Sequence, residues 1–365
     1  MKFYAPTKVY LEKNSVKNHG REMASLGSKA LIVTGRHSAA ANGSLKDVTD
    51  VLEEYDVPYI IFNEVEENPS VDTVAKAAEL AIGEKADFVI GIGGGSPLDA
   101  AKGVAIMAGN PEEGVECLYE KKPLKPLPFV AVPTTCGTGS EVTPNAVLTR
   151  PALHKKGSMS HNVNPDLALV DGKYLASASR NLLISTSVDA LSHSIEARLH
   201  SNANEYNHMF SEYALRIWSG LIPYLTGQKE ADEETYQRFM LSSTTAGMAI
   251  AQTATSLPHA LSYPLTLDYG VAHGRACGFF EAAYMEEYAR NKPEDVECIL
   301  NLLGFADLAA FDAFMKDLLG PQAIAEEDFD KIADSLIRSG KTSTYPFPID
   351  RDGVMRILRK SLEVM

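Results

Sequence analysis

Several features are absent from this sequence of 365 residues, and each absence argues against a class of protein. No block of basic residues occurs and the formal net charge is −14, so a nucleic-acid-binding surface is not expected. No apolar run is long enough to span a bilayer, and the N-terminal stretch MKFYAPTKVYLEKNSV lacks the apolar segment of a signal peptide. Internal repeats and low-complexity segments are also absent.

Cysteine is scarce, and the four cysteines show no paired spacing that would indicate a disulfide framework or a zinc ribbon. We therefore expect a reducing, cytoplasmic setting. The composition is 45% hydrophobic and 22% charged, which is ordinary for a globular enzyme. The chain is long enough for two domains that each have a core.

The N-terminal half alternates short apolar runs with helical patterns from Lys29 onward. The runs are KALIVTG, PYIIFNEV, DFVIGIGGG, PFVAVPTT and DLALVDG, and the first three are separated by KDVTDVLEEYD and SVDTVAKAAELAIGEKA. Continuous valine- and isoleucine-rich runs between helices predict a parallel sheet covered on both faces. In such sheets ligands bind at the carboxyl ends of the strands.

A glycine-rich segment follows the third run, over GGGSPLDAAK at 93–102. Its glycines allow a close approach of the backbone to a ligand. Ser96 suits the N-cap of a helix, Pro97 its first turn and Asp99 a capping acid, so that the helix start would favour a pyrophosphate. A tight strand–helix turn without a ligand is the alternative.

A second polar loop follows the next run, over PTTCGTGSE at 133–141. Its hydroxyl groups and amides are suited to hydrogen-bond a phosphate, a ribose or a carboxamide. Alone it is also compatible with an ordinary polar loop. Two such loops at neighbouring strand ends favour a dinucleotide site.

The C-terminal half has a different pattern. Strand-like runs stop near residue 180, and long amphipathic patterns follow, such as NEYNHMFSEYALRIWSGLIPYL and DEETYQRFMLSSTTAGMAIAQ. The sequence therefore predicts an α/β dinucleotide-binding domain over residues 1–180 and an all-helical domain over 181–365. We expect the functional site in a cleft between the two.

Metal-ligating residues are found in the helical half. Asp189 and His193 are four residues apart, so they share one face of a helix, and His259 and His273 follow in LPHALSYPLTLDYGVAHG. One carboxylate and three imidazoles form a set suited to Fe²⁺ or Zn²⁺. A surface ion pair and isolated structural histidines are the alternatives. The remaining histidines lie in polar contexts typical of the surface: His19, His37, His154, His161, His200 and His208.

Such a metal would give these residues a chemical role. A dication held by one carboxylate and three neutral imidazoles lowers the pKa of a bound alcohol and stabilises the alkoxide. An alkoxide beside an oxidised nicotinamide is ready to transfer hydride.

At these motifs the chain resembles the iron-containing (group III) alcohol dehydrogenases over essentially its whole length. The resemblance rests on GGGSPLDAAK, PTTCGTGSEVT, DALSHSIEA, HALSYPL and YGVAHGRA. It implies a dehydroquinate synthase-like architecture, a homodimer or larger homo-oligomer, and Asp189, His193, His259 and His273 as metal ligands. It also implies that the following residues bind the cofactor: Asn68, Gly94, Gly95, Ser96, Pro97, Asp99, Thr134, Thr135, Thr138, Ser140, Lys155 and Leu175.

Two departures from the family pattern affect function. Tyr263 stands where many members have a second histidine, often given a proton-relay role, and its ordinary pKa near 10 makes it a poor base. Gly35 and Arg36 follow the strand-like segment ALIVT, where NAD-selective members usually have an Asp. The glycine leaves room for a 2′-phosphate and Arg36 can pair with it, so we expect NADP(H) over NAD(H). A merely solvated Arg36 is the alternative.

The sequence thus predicts a metal-dependent oxidoreductase that transfers hydride between NADP(H), or less favourably NAD(H), and a small primary alcohol, diol or aldehyde. A glycerol or polyol dehydrogenase, or a lyase-type enzyme of the same superfamily, is one alternative. A catalytically silent nucleotide-binding sensor is another, although such a sensor is expected to have lost metal ligands that this chain retains.

Overall fold

The computed structural model of the chain describes residues 3–153 and 155–365. These residues form two compact units, which we call the α/β unit and the helical unit. The α/β unit comprises the described residues of 4–178 together with 232–240. The helical unit comprises Phe3 and residues 179–231 and 241–365.

The α/β unit alternates strands and helices. Its elements are β1 (Lys8–Leu11), α1 (Ser15–Asn18), α2 (Gly20–Ala24), β2 (Ala30–Gly35), α3 (Ser38–Ala41), α4 (Ser44–Glu54), β3 (Tyr59–Val65), α5 (Val71–Gly83), β4 (Phe88–Gly93), α6 (Gly95–Ala108), β5 (Phe129–Pro133), β6 (Val147–Arg150), β7 (Lys155–Ser158) and β8 (Leu167–Val170). Six of the strands form one sheet in the order β1-β8-β5-β4-β2-β3, with every neighbouring pair parallel. A separate antiparallel pair is formed by β6 and β7.

The continuous apolar character of the strands follows from burial of both sheet faces. Alternate residues of a strand point to opposite faces. In β2, Leu31 and Val33 belong to the core formed with α5 and α6, whereas Ala30 and Ile32 belong to the core formed with α1, α2 and α4. The predicted parallel sheet with helices on both faces is therefore confirmed, with β1 as an additional edge strand.

The direction of the chain across the sheet reverses between β2 and β4. The chain runs outward from β2 to β3 and then returns to place β4 on the other side of β2. Ligands of open α/β sheets bind at such a reversal, beyond the carboxyl ends of the strands. Here those ends are Gly35 and Gly93, which place the residues that follow each strand next to one another.

The helical unit contains the long helices predicted after residue 180. Several begin at side-chain caps, including Ser179, Asn204, Asp307 and Asp350. One parallel pair of two-residue strands adds to the predicted all-helical architecture. The elements are α7 (Arg180–Leu199), α8 (Glu205–Ser219), α9 (Ile222–Leu225), α10 (Glu233–Thr253), α11 (Leu257–Asp268), α12 (His273–Ala289), α13 (Pro293–Leu303), α14 (Leu308–Leu319), β9 (Ala323–Ile324), α15 (Glu326–Ser339), α16 (Arg351–Ser361) and β10 (Glu363–Val364). The first residues of α10, 233–240, belong to the α/β unit.

Among the described residues, no individual helix combines the length and apolar character needed to cross a bilayer. One bent pair, α13 with α14, meets the criterion by length and composition alone, with an angle of 53° between the two helices.

Candidate metal centre and cofactor site

Helix α7 is buried along most of its length and carries Asp189 and His193. Helix α12 crosses it closely because Gly274 has no side chain. A Cβ atom at Gly274 would lie 1.8 Å from the carbonyl oxygen of Ser185 and 2.9 Å from Cβ of Asp189. This close crossing places His273, the first residue of α12, beside Asp189.

The structure brings the four predicted ligands together within the helical unit. Oδ1 of Asp189 lies 3.9 Å from Nε2 of His193, 3.4 Å from Nε2 of His259 and 3.8 Å from Nε2 of His273. The rings of His193 and His259 stack with centroids 4.6 Å apart, and His259 meets His273 edge-on at 5.3 Å. The isolated-residue alternatives considered for each histidine do not account for this convergence.

These residues fit a divalent transition metal. Oδ1 of Asp189 and Nε2 of His259 are buried atoms without a hydrogen-bond partner among the described residues, an arrangement that is costly unless another group binds them. Ligand atoms about 2.1 Å from a tetrahedral metal are separated from one another by roughly 3.4 Å. The separations from Asp189 are close to this value, so small side-chain rotations suffice to bind Fe²⁺ or Zn²⁺.

The electrostatics keep the carboxylate of this cluster charged. Burial would raise the pKa of Asp189, but the neighbouring imidazoles of His193, His259 and His273 hold it well below its usual range. Asp189 is therefore a carboxylate near neutral pH, as a metal ligand must be.

Two further side chains border the cluster. The thiol of Cys277 lies one helical turn after His273, 3.9 Å from its Nε2, and is within the same compact group as Asp189 and His259. Burial raises the pKa of Cys277 to about 11, so the thiol is neutral near pH 7. Tyr263 stacks on His273 with ring centroids 6.2 Å apart, and burial raises its pKa. Neither group is a base near neutral pH.

Sequence reasoning missed Glu196, a fully buried carboxylate that contacts His259. A helical signal for it was available. Asp189, His193 and Glu196 have the spacing i, i+4, i+7, which places all three on one face of α7.

The other histidines differ in exposure. His200 is buried, contrary to the prediction of a surface position, because the last turn of α7 is covered on all sides; its Nδ1 accepts a hydrogen bond from the Asn202 amide. His37 is exposed, and His19, His161 and His208 are half-buried. His154 lies outside the described residues.

In the α/β unit, the two predicted glycine and hydroxyl loops are in contact. Gly93 at the end of β4 pairs in register with Pro133 at the end of β5. A Cβ atom at Gly94 would lie 3.0 Å from Oγ1 of Thr135, and one at Gly95 would lie 2.6 Å from Cγ2 of Thr138. A side chain at either position would crowd the threonines of the second loop.

The start of α6 differs from the sequence prediction. The helix begins at Gly95 with Gly94 as its N-cap, so Ser96 lies in the first turn and Pro97 follows it. Ser96 is not a cap because its hydroxyl instead accepts a hydrogen bond from the Asn68 amide at 3.2 Å. No side chain caps this helix, which leaves its first amides directed outward as in phosphate-binding helices.

Asp99 does not cap α6 either, since it belongs to a buried polar network. Its carboxylate accepts hydrogen bonds from the Ser140 hydroxyl at 2.7 Å and the Val147 amide at 2.8 Å. The buried ammonium of Lys102 donates to the Ser140 hydroxyl at 2.7 Å and to the Asn145 carbonyl at 2.8 Å. Burial lowers the pKa of Lys102 to about 8. The network fixes the second loop against α6.

Asn68 lies at the junction of several segments. It adopts a left-handed conformation with φ of 57°, and its carbonyl accepts a hydrogen bond from the Thr149 hydroxyl at 2.9 Å. Its side-chain oxygen accepts a hydrogen bond from Lys156 at 2.6 Å, whereas Lys155 is exposed. Strand β7 presents alternate residues to opposite sides, so Lys156 contacts Asn68 while Lys155, the residue predicted to bind the cofactor, does not share that contact.

The remaining cofactor candidates fall into exposed and buried positions. Arg36 is exposed after β2, and a Cβ atom at Gly35 would lie 4.0 Å from Cγ of Pro97, so the ends of β2 and β4 are adjacent as the topology requires. Thr134 and Leu175 are buried.

Comparison with known proteins identifies the family. A sequence model of iron-containing alcohol dehydrogenases matches residues 6–172, and a model of the C-terminal region of the Fe-containing alcohol dehydrogenase family matches residues 183–362. The chain belongs to the iron-containing alcohol dehydrogenase family. The resemblance inferred from the motifs is thereby confirmed.

Individual proteins and solved structures are also similar to this chain. It is 32% identical to a bifunctional aldehyde-alcohol dehydrogenase of Escherichia coli, over 74% of this chain but only 32% of that protein. It is 32% identical to a long-chain primary alcohol dehydrogenase of Thermoanaerobacter ethanolicus, over 69% of this chain and 64% of that one. The structure of an iron-containing alcohol dehydrogenase from Thermotoga maritima matches with 37% identity and a TM-score of 0.91, over 99% of both chains. The chain thus spans about a third of the first of these relatives.

Proposed function

We propose that this family member is a metal-dependent alcohol and aldehyde oxidoreductase that transfers hydride between NADP(H) and a small primary alcohol, diol or aldehyde. The observation that carries the proposal is the convergence of Asp189 and the three imidazoles; Oδ1 of Asp189 and Nε2 of His259 are buried there without a hydrogen-bond partner among the described residues. A nucleotide sensor without chemistry has no need for such a cluster.

Asp189, His193, His259 and His273 would hold Fe²⁺ or Zn²⁺. When bound, such an ion supplies a Lewis acid that lowers the pKa of an alcohol oxygen. The chain contributes one negative charge and three neutral donors. Because Tyr263 and Cys277 keep their protons near neutral pH, the substrate proton leaves through water or the cofactor ribose rather than through a nearby side chain.

The cofactor part of the proposal assigns the dinucleotide to the carboxyl ends of β2, β4 and β5. The uncapped start of α6 would bind the pyrophosphate, and the hydroxyls of the second loop would line the cofactor. The boundary between two domains is proposed near residue 180, with residues 1–180 binding the nucleotide and residues 181–365 binding the metal.

The preference for NADP(H) is proposed from Gly35 and Arg36. No carboxylate occupies these positions, and the exposed guanidinium is suited to pair with a 2′-phosphate. Similar proteins differ in the cofactor that their names state. An NADPH-dependent butanol dehydrogenase of Clostridium saccharobutylicum is 29% identical, and the structure of an NADH-dependent butanol dehydrogenase of Thermotoga maritima is 26% identical with a TM-score of 0.86.

Assembly and compartment are also proposals. A homodimer or larger homo-oligomer is carried over from the family resemblance. The four cysteines form no disulfide among the described residues, which supports a reducing, cytoplasmic compartment.

The test is a reduction assay across C2 to C6 aldehydes and diol-derived aldehydes, with NADPH and NADH, on protein loaded with Fe²⁺ or Zn²⁺. We expect turnover that depends on the metal, with the higher kcat/KM for NADPH. A ratio that favours NADH would contradict the cofactor proposal. Oxidation of glycerol with NADP⁺ or NAD⁺, without reduction of any of these aldehydes, would favour the polyol dehydrogenase alternative. Tight NADPH binding without turnover on any substrate would favour the sensor.

A further inference from the structure

The carboxylate of Glu196 is buried in the helical unit without an arginine or lysine partner among its hydrogen bonds. It lies on α7, two turns after Asp189, and is completely inaccessible to solvent. A buried carboxylate is costly unless hydrogen bonds stabilise it. Its contacts therefore indicate what it does.

Both oxygens of Glu196 contact the segment that carries His259. Oε1 is hydrogen-bonded to Nδ1 of His259, and Oε2 accepts a hydrogen bond from the backbone amide of Ser256. Ser256 is the N-cap of α11, and its hydroxyl lies 3.2 Å from Oγ1 of Thr344 and 3.4 Å from the Tyr284 hydroxyl. One carboxylate thus connects the ring of a proposed ligand to the start of the helix that bears it.

This contact determines which nitrogen of His259 carries the proton. A carboxylate oxygen accepts hydrogen bonds, so Nδ1 carries a proton, and in the neutral ring that a metal binds the lone pair is then on Nε2. Nε2 lies 3.4 Å from Oδ1 of Asp189 and has no hydrogen-bond partner among the described residues. This lone pair is therefore directed toward Asp189 and the space between the proposed metal ligands.

We propose that Glu196 is a positioning residue that holds His259 in the Nδ1–H form and orients Nε2 toward the metal. The inference rests on the proposed metal centre. Carboxylate partners of ligating histidines typically contribute 10- to 100-fold to metal affinity. The same two hydrogen bonds also fix the distance between α7 and the start of α11, so the ligand is placed by its ring and by its backbone.

The neighbouring Glu281 on α12 provides a matched control. It is equally buried, and burial together with the charge of Glu196 raises its pKa well above the usual range. Glu281 makes no hydrogen bond to His259 or Ser256 among the described residues, whereas Glu196→Gln replaces one of the two oxygens that accept from them. Comparison of the two variants distinguishes a specific effect on His259 from a general effect of substituting a buried residue in these helices.

The experiment measures the Zn²⁺ dissociation constant of the full chain by competition with a chromophoric chelator, for wild type, Glu196→Gln and Glu281→Gln. Circular dichroism and thermal unfolding of the metal-free proteins report whether each variant folds. We expect a 10- to 100-fold weaker affinity for Glu196→Gln and a change of less than about twofold for Glu281→Gln. Equal affinities of wild type and Glu196→Gln would overturn the inference, as would equal losses in both variants.

A second measurement does not depend on a variant. In zinc-loaded wild-type protein labelled with ¹⁵N-histidine, we expect the His259 ring to carry its proton on Nδ1. A proton on Nε2 would overturn the inference. Failure of the wild type itself to bind Zn²⁺ would instead contradict the proposed metal centre.

Discussion

Replacing Gly274 by alanine tests whether the close crossing of α7 and α12 brings the proposed metal ligands together. The added Cβ would lie 1.8 Å from the Ser185 carbonyl oxygen, whereas ordinary contacts begin near 3.4 Å. The two helices must therefore separate locally by about 1.6 Å along that direction. The obstructing atom belongs to the backbone of a buried helix, so no side-chain rotation can relieve the overlap.

The expected cost has two parts. Overpacking a core destabilises by roughly 1–3 kcal/mol, and a backbone obstruction belongs at the upper end of that range. In addition, His273 precedes Gly274 directly and moves with it, while metal–ligand distances tolerate only about 0.2 Å. We therefore expect the Zn²⁺ affinity of Gly274→Ala to fall at least tenfold.

The assay combines urea unfolding of the metal-free protein with zinc titration. Gly83→Ala is the matched control, because Gly83 ends α5 in the α/β unit and a Cβ atom there would meet no atom within 4 Å. We expect that control to be neutral or stabilised by up to about 1 kcal/mol. The reasoning would be refuted if the free energy of unfolding of Gly274→Ala were within about 0.5 kcal/mol of the wild-type value and its zinc affinity were unchanged.

Three further outcomes are expected. Arg36→Ala should raise KM for NADPH about tenfold or more and leave KM for NADH nearly unchanged, as measured by initial rates; equal effects on both would contradict the 2′-phosphate contact. Lys102 has a pKa of about 8 in the folded protein, below the 10.5 of the unfolded chain, so the unfolded state binds more protons between these two pH values. The free energy of unfolding of wild type should therefore rise by about 3 kcal/mol relative to Lys102→Met from pH 8 to 10.5. A flat difference in unfolding free energy over that range would contradict the buried ammonium. Tyr263→Phe should leave the pH dependence of kcat unchanged between pH 6 and 9, since burial raises the pKa of Tyr263; loss of one limb of the profile would show that it transfers the proton.

Much of the α/β fold could be predicted from the sequence because strands buried on both faces have a distinctive composition. Strands β2, β3, β4, β5 and β8 all coincide with predicted apolar runs. Strand β1 was not predicted because KVYL is short, begins with an exposed lysine and forms the edge of the sheet. Its strand conformation depends on pairing with β8, which local sequence does not reveal.

The metal cluster could be predicted only in part. Asp189 and His193 follow from the i, i+4 spacing within one helix, but the positions of His259 and His273 in space depend on how α11 and α12 pack. Those two residues were proposed from residue type and supported by the family resemblance, because periodicity alone does not connect them to Asp189. The network of Asp99, Lys102 and Ser140 was missed for the same reason, since a hydrogen bond across 38 residues has no local signal.

The central claim is that Asp189, His193, His259 and His273 bind one catalytic metal ion. It is tested most directly by anomalous diffraction at the zinc edge from crystals of the zinc-loaded protein. We expect a single anomalous peak about 2.0–2.2 Å from one oxygen of Asp189 and from one nitrogen of each histidine. A peak elsewhere, or one bound by the Cys277 sulfur about 2.3 Å away in place of His193, would contradict the account.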